Sequence, residues 1–211
     1  MKNLVILISG QGSNMKAIIK AAAKEQWPAR ITAVISNRPN AAGLKYAESL
    51  KIRASVVDHQ LFDDRNAFDE ALANEIDRFG ADLIILAGFI RILTPTFVRR
   101  YERKILNIHP SLLPSFKGIN THQRVLDAGV VIHGATVHFI NSKLDSGAII
   151  AQGAIPVQIG DDANTLAKRV LAVEHNLYPL VIRWFVNNNL HFDGTRVSVP
   201  KNERRWIFSE K

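Results

Sequence analysis

Strand-like and helix-like segments alternate along the first half of this chain, and that order restricts the fold more than any other feature. Four apolar runs, at residues 4–9, 31–36, 83–87 and 105–108, have the length and composition of buried strands. Amphipathic helical patterns occupy residues 14–25, 41–50 and 64–79. Because strands joined by crossover helices pair in parallel, the sequence predicts an α/β fold with a mostly parallel central sheet and helices on both faces.

The second half of the chain carries a different strand pattern. Side chains alternate over residues 130–140, with Ala135, Val137 and Phe139 on one predicted face and Thr136 and His138 on the other. A further β run covers residues 149–157, a long helix covers 164–186, and a hairpin covers 190–199 with its turn at Asp193 and Gly194. We therefore expect some antiparallel strands in the C-terminal half.

The composition is that of an ordinary globular chain, with 47% hydrophobic and 22% charged residues. The 211 residues contain no linker or shift in composition, so we expect a single domain over residues 1–211. No apolar stretch approaches the ~20 residues that span a bilayer, and Met1 to Asn3 lead into a strand without a secretory signal. These features and the absence of cysteine predict a cytoplasmic protein with no membrane partner.

The net charge of +8 favours anionic partners in general. Lys and Arg are scattered, apart from short clusters at residues 99–104 and 201–205, so the sequence predicts no nucleic-acid partner. A chain without cysteine has no thiolate metal site, and no acidic residue lies at ligand spacing around His122, His133 or His138. No metal is therefore predicted.

A glycine-containing segment, residues 10–14, connects the first predicted strand to the first predicted helix. The free N–H groups at the start of a helix form a good phosphate site, to which Ser13 and Asn14 add side-chain donors. A dinucleotide is disfavoured because Met15 stands where the third glycine of that fingerprint would be. The segment predicts either a site for a single phosphate or simply a tight turn.

Asn107 and His109 lie two residues apart where the fourth apolar run ends in a loop bounded by Pro110 and Pro114. Side chains two apart share one face of a strand, so both can enter one pocket. Asp145 lies in a turn 36 residues after His109. It either bonds its own turn, the commoner role of Asp before Ser-Gly, or faces His109, where a carboxylate favours the protonated ring.

Three other histidines and one loop are further candidates. We expect His138 near the pocket and His122 on the surface, while His133 has no acidic partner at ligand spacing. The loop at residues 89–93 follows a predicted strand. It either packs in the core or encloses a flat heterocycle with exposed backbone groups and apolar side chains.

Five segments together resemble the catalytic domain of the folate-dependent formyltransferases, most closely the branch that acts on glycinamide ribonucleotide. They are residues 8–14, 86–93, 107–114, 133–139 and 145–147. The likeness runs in order from residue 4 to about residue 186. It implies a Rossmann-like formyltransferase fold in which Asn107, His109 and Asp145 are the catalytic residues.

The resemblance also implies binding residues for two small-molecule substrates. Gly12, Ser13 and Asn14 would hold the substrate phosphate, and Glu174, otherwise a solvated charge, would accept hydrogen bonds from ribose hydroxyls. Arg65 would lie near the glutamate end of the folate. The folate-binding residues implied are Arg65, Ile90, Arg91, Ile92, Leu93 and Asn107.

The implied reaction transfers a formyl group from 10-formyltetrahydrofolate to the amine of glycinamide ribonucleotide, a step of purine biosynthesis that uses no metal. Asn107 and protonated His109 would stabilise the oxyanion. His109 would also relay a proton while Asp145 holds its ring. The enzyme is expected to be a monomer or a homodimer.

Three alternatives stay open at this point. A methionyl-tRNA formyltransferase would need a C-terminal tRNA-binding domain of roughly a hundred residues, whereas only about two dozen residues follow the long helix. A formyltetrahydrofolate hydrolase would carry an N-terminal regulatory domain, whereas this chain begins with its first strand. A binding module without catalysis would need neither His109 nor Asp145.

Overall fold

The computed structural model describes residues 1–193 and 196–209, so the turn predicted at Gly194 lies outside the described residues. The strands are Lys2–Ile8 (β1), Ala29–Ser36 (β2), Arg53–Val56 (β3), Leu83–Leu86 (β4), Ile105–His109 (β5), Ile132–Phe139 (β6), Ile149–Pro156 (β7), His191–Asp193 (β8), Arg196–Ser198 (β9) and Trp206–Phe208 (β10). The α-helices are Ser13–Lys24 (α1), Ala42–Ser49 (α2), Arg65–Asp77 (α3), Pro95–Arg100 (α4), Thr121–Asp127 (α5) and Ala163–Val186 (α6), and His59–Leu61 forms a 3₁₀ turn.

The contacts divide the chain into two compact units. The first contains Met1–Asn107 with Ile140–Ser142, and the second contains Ile108–Phe139 with the described residues from Lys143 onward. In the first unit the strands run parallel in the order β3-β2-β1-β4-β5. The predicted parallel sheet is confirmed there, and its strand ends carry the glycine segment and the loop after β4.

Strand β1 is covered on both faces. Val5 and Leu7 belong to a core cluster with Phe68 of α3. The opposite face is buried as well, and a Cβ built on Gly43 of α2 would lie 2.6 Å from Ile8 Cδ1. Each fully buried aliphatic side chain of this kind stabilises the fold by roughly 1.5–3 kcal/mol. Helices therefore cover both faces, as the sequence predicts.

The second unit contains the antiparallel strands. β6 pairs antiparallel with β7, β10 pairs parallel with β7, and β8 pairs antiparallel with β9. Helix α6 begins with a capping box, in which the Thr165 N–H donates to Asp162 Oδ1 and the Asp162 N–H donates to Thr165 Oγ1. Gly153 of β7 lets this helix approach closely, since a Cβ there would lie 2.2 Å from Val173 Cγ1.

Four short elements escape prediction from sequence. β3, α4, α5 and β10 have only four, six, seven and three residues, too few for a periodic pattern to emerge. The long helix and the antiparallel pairing are confirmed. The single domain over residues 1–211 stays a prediction. In the part of the chain that the structure describes, no helix is both long and apolar enough to cross a membrane.

Candidate active site

Strand β5 ends in the two residues that the sequence singles out. Asn107 pairs with Leu86 of β4, so it lies beside the strand that leads into the loop at residues 88–93. His109 is two residues further on, at the end of β5, and only 6% exposed. The alternation of a strand places both side chains on one face of β5. The predicted Asn-x-His arrangement at a strand end is confirmed.

The imidazole of His109 lies between two oxygen acceptors. Its Nδ1 is 3.5 Å from Asp145 Oδ2, and its Nε2 is 3.0 Å from the Phe116 carbonyl oxygen. The carboxylate and the carbonyl are both hydrogen-bond acceptors, so each ring nitrogen of His109 faces a group to which an N–H can donate. Of the two roles open to Asp145, the structure therefore shows the one that faces His109.

Asp145 is held in place by its own loop and by a second one. Its backbone adopts the left-handed conformation, with φ of 45°, and the Gly118 N–H donates to its Oδ2 over 2.9 Å. His138 Nε2 lies 3.9 Å from Asp145 Oδ1. Burial lowers the pKa of His138 below its ordinary value, which favours a neutral ring. The prediction that His138 lies near His109 and Asp145 is confirmed.

His122 and His133 form a pair that the sequence does not indicate. His122 Nδ1 is 3.1 Å from His133 Nε2, with the rings edge to face. Burial, aided by the neighbouring histidines, lowers the pKa of His133 to about 4 and lowers the pKa of His122 as well. The prediction that His122 is a surface residue is wrong, because α5 turns it inward against His133 of β6.

The glycine segment forms a tight turn at the start of α1. Gly12 caps the helix with φ of 67°, and a Cβ there would lie 2.9 Å from Met15 Cε and 3.4 Å from Gly43 Cα. Ser13 is the first helical residue, and Asn14 is only 7% exposed. The predicted strand-turn-helix arrangement is confirmed, and its backbone N–H groups face outward from the helix start.

The loop after β4 combines exposed apolar side chains with anchored ones. Ile90 and Ile92 are 66% and 58% exposed, while Leu93 packs against the core cluster of the first unit. The Arg91 guanidinium lies 4.9 Å above the Phe68 ring. Of the two roles open to this loop, core packing therefore applies to Leu93 but not to the two exposed isoleucines.

Arg65 and Glu174 occupy contrasting positions. Arg65 is exposed at the first position of α3, three residues before Phe68 and therefore on the same side of that helix. Glu174 is only 7% exposed within α6, so it is not a solvated surface charge. A carboxylate is an acceptor for the hydrogen bonds that ribose hydroxyls donate.

The predicted site residues fall into both units. Gly12, Ser13, Asn14, Arg65, Asn107 and the folate segment at residues 90–93 belong to the first, and His109, Asp145 and Glu174 belong to the second. Sequence reasoning missed the contacts of Phe116 with His109 and of Gly118 with Asp145. No local pattern marks them, since these contacts join a loop to residues 7 and 27 positions away.

Comparison with known proteins supplies independent information. The family model for formyl transferase matches residues 2–182. Phosphoribosylglycinamide formyltransferase of Escherichia coli is 44% identical over 188 residues, which are 89% of this chain and 89% of that protein. The trifunctional purine biosynthetic protein adenosine-3 of Bos taurus is 47% identical over 180 residues, but those cover 85% of this chain and only 18% of the bovine protein. The crystal structure of phosphoribosylglycinamide formyltransferase from Anaplasma phagocytophilum superimposes with a TM-score of 0.93 at 39% identity, covering 99% of this chain and 98% of that one.

Proposed function

The chain belongs to the formyl transferase family, and we propose that it transfers the formyl group of 10-formyltetrahydrofolate to the amine of glycinamide ribonucleotide. The products are the formylated ribonucleotide and tetrahydrofolate, so the reaction is a step of purine biosynthesis. The observation that carries the proposal is the contact between His109, which lies two residues beyond Asn107, and Asp145. Acyl transfer to an amine requires a hydrogen-bond donor to the oxyanion and a group that carries a proton, and these residues can supply both.

The proposed mechanism uses three side chains of this protein, with water as a possible carrier of the proton. The substrate amine attacks the formyl carbon, and negative charge develops on the formyl oxygen. The Asn107 amide donates a hydrogen bond to that oxygen, and so does the protonated His109 ring once its Nε2–H leaves the Phe116 carbonyl. As the intermediate collapses, the carbon–nitrogen bond to the folate breaks, and the folate nitrogen gains a proton that His109 supplies directly or through water. The substrate nitrogen, which became positively charged on attack, releases a proton that returns to His109. Asp145 keeps the ring charged and oriented.

Each remaining predicted residue has a proposed binding role. Gly12, Ser13 and Asn14 bind the phosphate of the ribonucleotide through amides at the start of α1. Glu174 accepts hydrogen bonds from the ribose hydroxyls. The folate lies against Asn107 and the loop at residues 90–93, where exposed isoleucines flank its ring and backbone groups bond its edge. Arg65 interacts with the glutamate end of the folate.

The proposal extends to the setting of the enzyme. Formyl-folate acts as a cosubstrate rather than a resident cofactor, and both partners are small molecules, with neither a metal nor a nucleic acid required. We place the enzyme in the cytoplasm, in line with a sequence that contains no cysteine. Its assembly as a monomer or a homodimer stays a prediction.

One assay tests the proposed function directly. Enzyme, glycinamide ribonucleotide and 10-formyltetrahydrofolate are incubated, and the folate and nucleotide products are followed by mass. We expect the formylated ribonucleotide and tetrahydrofolate in equal amounts. Release of formate without the formylated ribonucleotide would identify a hydrolase instead, and an unchanged donor would refute formyl transfer altogether. Unacylated methionine tRNA and its methionyl form, added in place of the ribonucleotide, test the tRNA alternative.

A further inference from the structure

A buried serine fixes the loop that carries the proposed folate site. Ser9 follows β1 directly and is 3% exposed. Its backbone N–H donates to the Gly88 carbonyl over 3.1 Å, and its Oγ accepts a hydrogen bond from the Ile90 N–H over 2.7 Å. One residue therefore holds both ends of the turn from Gly88 to Ile90, in which Gly88 adopts φ of 77°.

The Ser9 hydroxyl is itself oriented by Asn37. Ser9 Oγ donates its only proton to Asn37 Oδ1 over 2.6 Å, and Asn37 is 1% exposed. Because the hydroxyl proton is donated to Asn37, a lone pair of Ser9 Oγ is available to accept the Ile90 N–H. The Asn37 carbonyl accepts from His59 Nδ1 over 2.7 Å, which anchors Asn37 in turn.

The backbone of Ser9 is fixed by its position between β1 and the glycine segment. Ser9 immediately precedes the glycine segment, whose Gly10 carbonyl accepts the Gly43 N–H over 3.1 Å. Its own backbone is therefore fixed on one side by the parallel sheet and on the other by α2. Because Ser9 is held on both sides, its hydrogen bond to the Ile90 N–H also fixes the backbone at the start of the loop at residues 90–93.

We propose that Ser9, oriented by Asn37, is a positioning residue for the formyl donor. It does not contact the substrate, and it acts by orienting the backbone groups of residues 90–93 toward the edge of the folate ring. The inference rests on the proposed function, because it assigns that loop to the folate. A merely structural role for Ser9 would lower stability without distinguishing one substrate from the other.

The chain offers a matched control for a Ser9→Ala variant. Ser36 is also a fully buried serine at the end of a parallel strand, and its hydroxyl accepts the Arg38 N–H and donates to the Arg38 carbonyl. Ser36→Ala therefore removes two comparable hydrogen bonds in the same unit without touching Ile90.

We expect Ser9→Ala to raise the KM for the formyl donor, and the Kd for tetrahydrofolate measured by titration calorimetry, by about five- to tenfold, the effect of one lost hydrogen bond. The KM for the ribonucleotide and kcat should change less than about twofold. Asn37→Leu should reproduce these effects. The double variant should be no worse than either single one, because the two residues act through one chain of hydrogen bonds.

Several outcomes would overturn the inference. Equal rises in both KM values, or a donor KM in Ser9→Ala that matches that of Ser36→Ala, would reduce Ser9 to a structural role. Thermal unfolding of each variant checks that it is folded, and Ser9→Cys, which retains a weaker acceptor, replaces Ser9→Ala if that variant unfolds and should give an intermediate rise. If the wild-type protein neither binds tetrahydrofolate nor transfers the formyl group, the proposed function fails. If the wild-type protein is active but Ser9→Ala has the same KM for the formyl donor, only the role of Ser9 fails.

Discussion

The two units of the molecule offer different chemistry to a ligand. In the first unit the candidate groups are backbone amides and exposed apolar side chains, represented by Gly12 and Ile92, at the carboxyl ends of parallel strands. In the second unit they are buried titratable side chains, represented by His109, Asp145 and His133. The first set suits binding, and the second suits proton transfer and charge stabilisation.

This difference shows why one unit is easier to predict than the other. A glycine before a helix has its geometry set by neighbours in sequence, and an apolar loop after a strand has its place set in the same way, although Ser9 then fixes that loop from 81 positions away. The contact between His109 and Asp145 joins residues 36 positions apart, and a strand, two loops and a left-handed residue must all form before it exists. The division into binding and proton transfer can be tested by comparing KM with kcat.

The largest effect is expected from His109→Ala. Loss of the protonated ring should lower kcat by roughly 10²–10⁴, because the ring stabilises charge that develops only in the transition state. Both KM values should change little. Steady-state kinetics with each substrate varied in turn provide the measurement, and His191→Ala, at an exposed histidine of β8, is the control. A raised KM with an unchanged kcat would show that His109 binds substrate rather than stabilising the transition state. The division of binding and proton transfer between the two units would then be wrong.

Asp145→Asn should have a smaller effect on the same step. The amide retains an oxygen that can accept the Gly118 N–H but lacks the charge that favours the protonated His109 ring, so kcat should fall by about 10–10². Asp127→Asn changes an exposed carboxylate of α5 and serves as the control. A variant with the wild-type kcat would remove Asp145 from the mechanism and leave it a turn residue.

Gly12→Val tests the binding role of the first unit. A side chain at φ of 67° is strained and lies against Met15, so the amides of the glycine segment should shift, and the KM for the ribonucleotide should rise about ten- to thirtyfold with little change for the folate. Gly129→Val controls for strain, since Gly129 has φ of 64° with nothing within 4 Å of its Cβ position. Equal rises for both substrates would argue for general distortion rather than a phosphate site.

Ile92→Asp tests the loop at residues 90–93, and we expect it to affect the KM for the folate rather than that for the ribonucleotide. A carboxylate against the heterocycle is costly to desolvate, so the KM for the formyl donor should rise about tenfold while that for the ribonucleotide stays the same. Because Ile92 is 58% exposed, the melting temperature should hardly change. Leu61→Asp, at an 80% exposed apolar residue of the same unit, is the control. Undiminished folate binding in a folded variant would place the pocket elsewhere.

The smallest effect concerns stability in the second unit. Burial lowers the pKa of His133 to about 4, below its value of ~6.5 in an unfolded chain. The unfolded state then binds more protons, so His133 contributes stability that is complete above about pH 6.5 and is lost as the pH falls toward about 4. The free energy of unfolding should drop by about 1 kcal/mol between about pH 7.5 and about pH 6.

Denaturant unfolding at several pH values measures this loss. His133→Asn should flatten the pH dependence, whereas His191→Asn, at an exposed position, should leave it as in the wild type. An unaltered slope in His133→Asn would show that His133 does not titrate with unfolding.

Sequence alone determined the frame of this protein. Apolar runs alternating with amphipathic helices specify a parallel sheet, because each pattern repeats the geometry of its own element over many residues. The end of β5 likewise places Asn107 and His109 on one face. The glycine segment before α1 marks a helix start, whose free N–H groups are local features that distant contacts do not create.

Tertiary structure alone decided which polar groups meet. The spacing of Asp145 left it either a turn residue or a partner of His109, and only the folded loops bring the two side chains to 3.5 Å. His122 looks like a surface residue until α5 packs it on His133. The physical reason is range: secondary structure follows from neighbours along the chain, whereas a hydrogen bond between side chains depends on atomic positions fixed by the whole packed core.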